Sequence, residues 1–73
     1  MPIVFSTHAK LQLKRRKISQ KIVIETITTS HQKVSSYKER KLRQRVIGSK
    51  ILEVVTTTEG SKITVITAYY LNK

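Results

Sequence analysis

His8, Arg16, Arg43, Arg45, Thr67 and Tyr69 are the side chains of this sequence best equipped to hold and cut a phosphodiester without a metal. Cleavage of RNA by its own 2′-OH needs a group to take the hydroxyl proton and a group to protonate the leaving oxygen. It also needs cations or donors where negative charge builds on the phosphate oxygens. An imidazole such as His8 changes charge near neutral pH and can move either proton. Arg16, Arg43 and Arg45 can clamp phosphate. Thr67 and Tyr69 stand two positions apart, so on a strand they share a face and can donate hydrogen bonds there. The same alternation puts Ile63 and Val65 on that face, apolar at one end and polar at the other. Each signal also has an ordinary reading. A histidine in a first helical turn is more often a surface or capping residue, arginines suit a sheet surface, and Tyr69 and Tyr70 can close a core with one hydroxyl wet.

The charge balance gives these residues a common direction. Fifteen Lys and Arg stand against four Asp and Glu, for a formal charge of +11 in 73 residues. Twelve of the basic residues fall between Lys10 and Arg45. A compact domain holding that many like charges repels itself, and a polyanionic partner offsets the repulsion and speeds encounter. Charge alone admits a nucleic acid, an anionic membrane or an acidic protein.

Composition removes other chemistries. Cysteine is absent, His8 and His31 are far apart, and Glu25, Glu39, Glu53 and Glu59 are scattered, so neither a metal-ligand set nor a paired-carboxylate site is expected. Gly48 and Gly60 read as turn glycines rather than a phosphate-cradling loop. No cofactor is expected. The N-terminal Met-Pro-Ile-Val-Phe lacks a basic segment ahead of a long apolar stretch, and no segment reaches the roughly 20 apolar residues that span a bilayer. With no cysteine to oxidise, the chain reads as a soluble, cytoplasmic protein without a membrane partner. Residues 1–73 fit one domain with a thin core, since chains of this length bury only about 60% of their unfolded surface.

The elements that must position the candidate residues follow from caps and periods. Ser6 or Thr7 can cap a first helix that runs to about Lys17, with Phe5 as the apolar residue before the cap. At about 100° per residue, Ala9 and Leu13 point one way, and His8, Gln12 and Arg16 form a sloping stripe beside them. Lys14 and Arg15 extend the basic surface. Ile18-Ser19 reads as a break and a new cap, followed by a helix from Gln20 to about Thr28 that buries Ile22, Val23 and Ile27. Its β-branched composition leans toward strand, but the cap and the spacing favour helix. Thr29-Ser30-His31-Gln32 reads as a polar loop. From Val34 the period changes to two: Val34 to Lys38, Leu42 to Ile47, Ile51 to Thr58 and Lys62 to Tyr70 read as strands, with turns at Gly48-Ser49 and Glu59-Gly60-Ser61. The expected fold is α+β, two N-terminal helices packed on a three- to four-stranded antiparallel meander.

Phe5-Ser6-Thr7-His8-Ala9, then Leu13, Arg16 and Ile18-Ser19, resembles the opening H-A-x-x-R-[ML]-x-x-R-x-I-S of a family of small uncharacterised domains. Val65-Ile66-Thr67-Ala68-Tyr69 is similar to its closing V-x-T-x-Y strand. That family looks related to RelE-like toxins and to barnase- and colicin-type metal-independent ribonucleases. The resemblance implies the same helix-then-meander architecture, with His8, Arg16, Thr67 and Tyr69 in an active cleft and Arg43 or Arg45 as its strand cation. Two positions depart from the motif: Gln12 stands where it has Arg, and Lys17 where it has a small residue.

Two functional expectations result. In the first, the chain is a ribonuclease toxin of a toxin–antitoxin pair. His8, Arg45, Thr67 and Tyr69 are then catalytic, and Gln12, Lys14, Arg15, Arg16 and Arg43 bind RNA, free or on the ribosome. An acidic antitoxin would cover the cleft, neutralising charge and blocking RNA together. In the second, the chain is a basic nucleic-acid-binding module without chemistry, a reading that Gln12 favours. With Phe5, Tyr37, Tyr69 and Tyr70 as the only aromatics, base stacking would be limited. A third reading is an adaptor for an acidic protein surface.

Overall fold

The computed structural model describes residues 2–29 and 33–71, with the backbone alone at Lys33, Ser35 and Tyr37. Its elements are β1 (Ile3–Phe5), α1 (Thr7–Arg16), α2 (Gln20–Thr28), β2 (Lys33–Tyr37), β3 (Arg40–Ile47), β4 (Lys50–Glu59) and β5 (Lys62–Leu71). They form an α+β fold in which one sheet runs in the order β1-β5-β4-β3-β2. Strands β2 to β5 are the expected antiparallel meander. The sheet as a whole is mixed, because β1 lies parallel to β5 with Ile3 opposite Ile63 and Phe5 opposite Val65. Three residues are too few to show a period, so the sequence presents β1 only as the apolar lead-in to a helix cap. The polar loop expected at 29–32 lies, beyond Thr29, outside the described residues.

Ser6 joins the sheet to α1. Its N–H donates to the Val65 carbonyl at 3.2 Å, and its hydroxyl accepts from the Ala9 N–H at 3.0 Å, the capping bond expected of a serine here. Lys17 ends the helix in the left-handed region, φ 57°, and Ile18 donates back to the Leu13 carbonyl at 2.9 Å while its side chain enters the core. This is the αL closure with a following apolar contact that commonly stops helices.

The β-branched α2 is a helix because its surroundings complete it. Ser19 caps it through Ile22 N–H at 3.1 Å, and Thr26 and Thr28 donate their hydroxyls to the carbonyls of Ile22 and Ile24, both at 2.9 Å. Val23, Thr26 and Ile27 are buried. Packing over the sheet outweighs a propensity penalty of at most about 0.7 kcal/mol per residue.

Each hairpin of the meander turns on two residues, and the first of each has positive φ: Lys38 at 56°, Gly48 at 61° and Gly60 at 59°. The core lies between sheet and helices, where Ala9, Leu13, Ile18, Val23 and Ile27 meet Leu52, Val54, Ile63, Val65 and Ala68. One irregularity decides which residues join it. Thr56 pairs with Val65 but Val55 pairs with Thr67, so Ile66 is an extra residue in β5, a β-bulge. The bulge resets the alternation. Ile63 and Val65 face the helices, as do Ala68 and Tyr70, whereas Thr67 and Tyr69 face away. The expectation that Ile63, Val65, Thr67 and Tyr69 share one face is therefore corrected.

Candidate functional site

Because β1 pairs only with residues 63–65, β5 beyond Val65 has no strand on that side among the described residues. The end of α1 meets this open edge. Arg16 Nη1 donates to the Ala68 carbonyl at 3.0 Å and to Thr67 Oγ1 at 3.2 Å, and its guanidinium carbon stands 6.0 Å from the centre of the Tyr69 ring. The first bond occupies one carbonyl of a strand edge that is otherwise open to pairing; the ring contact is at the outer limit of a cation–π interaction. Arg16 is exposed, and its Nε and Nη2 have no acceptor among the described residues. One nitrogen anchors the group, and the other edge of the fork faces out.

Behind Tyr69, on the face away from the helices, β3, β4 and β5 place Gln44, Glu53 and Tyr69 in cross-strand register. Gln44 Nε2 donates to Glu53 Oε1 at 2.7 Å, and the Tyr69 hydroxyl donates to Glu53 Oε2. Glu53 is only 7% exposed. The hydrogen bond to Glu53, then burial, then the Glu53 charge push the Tyr69 hydroxyl from 10.0 up to about 12, against the smaller opposing effect of Arg16. Tyr69 therefore stays protonated at neutral pH, and its single proton is committed to Glu53. What it presents to Arg16 is its ring.

The other candidate residues are dispersed around this edge. Arg43 pairs with Val54 and Arg45 with Leu52, both on the helix side, so the sheet separates these arginines from Thr67 and Tyr69. Arg43 is 8% exposed and donates from Nε to Thr56 Oγ1 at 3.1 Å and from Nη1 to the Ile27 carbonyl at 3.4 Å. Burial lowers its pKa from the ordinary 12.5. Arg45 is half-buried. His8 is exposed in the first turn of α1, Gln12 is half-buried one turn on, and Lys14 and Arg15 are exposed in the last turn. From His8 to Arg16 a helix rises about 12 Å. Lys14, Arg15 and Arg16 also complement the negative end of the helix dipole.

Glu53 and Gln44 are the site residues that reading the sequence missed. The two-residue turn at Gly48-Ser49 is enough to set Gln44 opposite Glu53, but the bulge that brings Tyr69 to them has no signature in the sequence. Among the described residues no group of three or more His, Cys, Asp or Glu lies together as a metal site, and no helix is long and apolar enough to cross a membrane.

A family model described as a domain of unknown function, DUF4258, matches residues 5–70. The chain belongs to this family. The DUF4258 match covers both helices, the meander up to Tyr70 and every residue of the Arg16, Thr67, Tyr69, Glu53 and Gln44 cluster. No curated protein and no solved structure matches the chain.

Proposed function

We propose that this DUF4258 domain binds RNA phosphates at the open edge of β5 and cleaves the strand by 2′-OH attack, as the toxin of a toxin–antitoxin pair. The observation that supports it most is Arg16, anchored through Nη1 by Ala68 and Thr67 with its other donors turned outward. An arginine so held offers a planar fork to two phosphate oxygens without first losing the freedom of a loose side chain. Glu53 and Gln44 hold the Tyr69 ring against which Arg16 rests. His8 takes the 2′-OH proton as that oxygen bonds to phosphorus, water protonates the 5′-oxygen that leaves as its bond to phosphorus breaks, and Lys14 and Arg15 extend the basic surface along α1. The Phe5–Ser19 and Val65–Tyr69 segments resemble the motifs of a family of small uncharacterised domains that looks related to ribonuclease toxins, and that relation is what speaks for cleavage. The +11 charge supports an acidic antitoxin as partner.

A labelled RNA incubated with the protein in EDTA tests this. The expected products carry 2′,3′-cyclic phosphate ends, and His8→Ala slows their formation by on the order of 10²–10⁴. A second reading, nucleic-acid binding without chemistry, is favoured by one observation: among the described residues His8 has no hydrogen-bond partner to orient it. RNA that is bound but never cut would establish that reading instead.

A further inference from the structure

On the helix side of the sheet, between the end of α2 and the first residues of β1 and β5, lies a cavity of about 320 Å³ lined by Ile3, Ile27, Thr28, Arg43 and Ile63. Its walls are three isoleucines, and its charge is that of Arg43, a residue only 8% exposed. Arg43 uses Nε and Nη1 on Thr56 and Ile27, while Nη2 has no acceptor, and no carboxylate pairs with the group, among the described residues. A buried cation whose fork is only partly satisfied by neutral oxygens is costly to keep, and a bound anion would remove that cost.

We propose that this cavity binds a monocarboxylate carried on a branched aliphatic body, the carboxylate meeting Arg43 and the hydrocarbon lying among Ile3, Ile27 and Ile63. One negative charge balances one guanidinium, whereas a phosphate dianion would leave net charge in an apolar pocket. A nucleotide diester carries one charge, but its sugars would lie against isoleucine. The volume is at the lower end of ligand pockets, which excludes large ligands. Thr28 is exposed, so the cavity opens to solvent beside it. The carboxylate can belong to a free acid or to the C-terminal residue of a peptide. The proposal is independent of the RNA reading, since Arg43 lies on the opposite side of the sheet from Tyr69.

The full chain, followed by two-dimensional NMR, is titrated with 4-methylpentanoate, with its neutral amide and with N-acetylleucine. The expected result is saturable shifts at Ile27, Thr28, Arg43 and Ile63 with an acid, and binding of the amide at least about tenfold weaker, because a charged hydrogen-bonded pair is lost. Tighter binding of N-acetylleucine assigns the site to peptide C-termini, and tighter binding of 4-methylpentanoate assigns it to free acids. Arg43→Gln should abolish the preference for acid over amide. Thr28→Trp, at the exposed lip, should block the acid and keeps the test valid where the buried arginine cannot be replaced without unfolding. No saturable binding by either acid, or an amide that binds equally well, overturns the proposal.

Discussion

Tyr69 has one proton to donate, and Glu53 accepts it. The consequence is measurable at high pH. With an ordinary value of 10.0 and a folded value of about 12, the folded chain keeps a proton that the unfolded chain releases. The stability this provides is whole below about pH 10 and is lost as pH rises toward 12. Denaturant midpoints of the native chain should therefore fall more steeply over that interval than those of Tyr69→Phe. Parallel curves would show that the hydroxyl is not held as described. Glu53→Leu removes the acceptor shared by Tyr69 and Gln44 and should cost about 1–3 kcal/mol, whereas Glu53→Gln, which keeps an acceptor oxygen, should cost less. Urea unfolding of the two variants distinguishes them.

At the scale of the elements, the extra residue in β5 determines which side chains reach the outer face. Deleting Ile66 should close the bulge into regular pairing, with Val65 still opposite Thr56 and Thr67 still opposite Val55, and so keep Thr67 and Tyr69 outward and Ala68 and Tyr70 in the core. The expected outcome is a cooperative thermal transition that survives the deletion, read by circular dichroism; its loss would show that the strand needs the bulge itself. Lys17 ends α1 at φ 57°, where glycine is unstrained, so Lys17→Gly should raise stability by about 0.5–1 kcal/mol. A lower melting temperature would show that this lysine contributes something beyond closing the helix. These elements also show what the sequence could disclose. The Ser6 and Ser19 caps, the spacing of Ile22, Val23 and Ile27, and the glycine turns were readable because each is local and chemically specific. β1 was not, since three residues carry no period and its partner lies sixty positions away. Nor was the bulge. The turn at Gly60-Ser61 alone would set Glu53 opposite Ala68, and the one-residue slip that brings Tyr69 there arises from tertiary packing. Arg43 and Arg45 looked like surface cations because alternation does not say which face the helices will cover.

At the scale of the whole molecule, a net charge of +11 is held within a radius of gyration of 11.3 Å. Added salt should therefore act in opposite directions on two properties. It screens self-repulsion and should raise the melting temperature, while RNA affinity should fall with a log–log slope of roughly −0.7 per phosphate contacted. Affinity indifferent to salt would point to an uncharged mode of recognition. The most direct test of the central claim, that Arg16 anchored on the β5 edge is the phosphate-binding cation, is to compare Arg16→Lys and Arg16→Ala with the native chain in RNA binding and in RNA cleavage in EDTA, on the same substrate. Lysine keeps the charge but lacks the planar fork that lets one edge hold Ala68 and Thr67 while the other meets phosphate. The account predicts that Arg16→Lys retains most of the binding yet loses cleavage almost as fully as Arg16→Ala. Cleavage at the native rate in Arg16→Ala, with its fold intact, would contradict it.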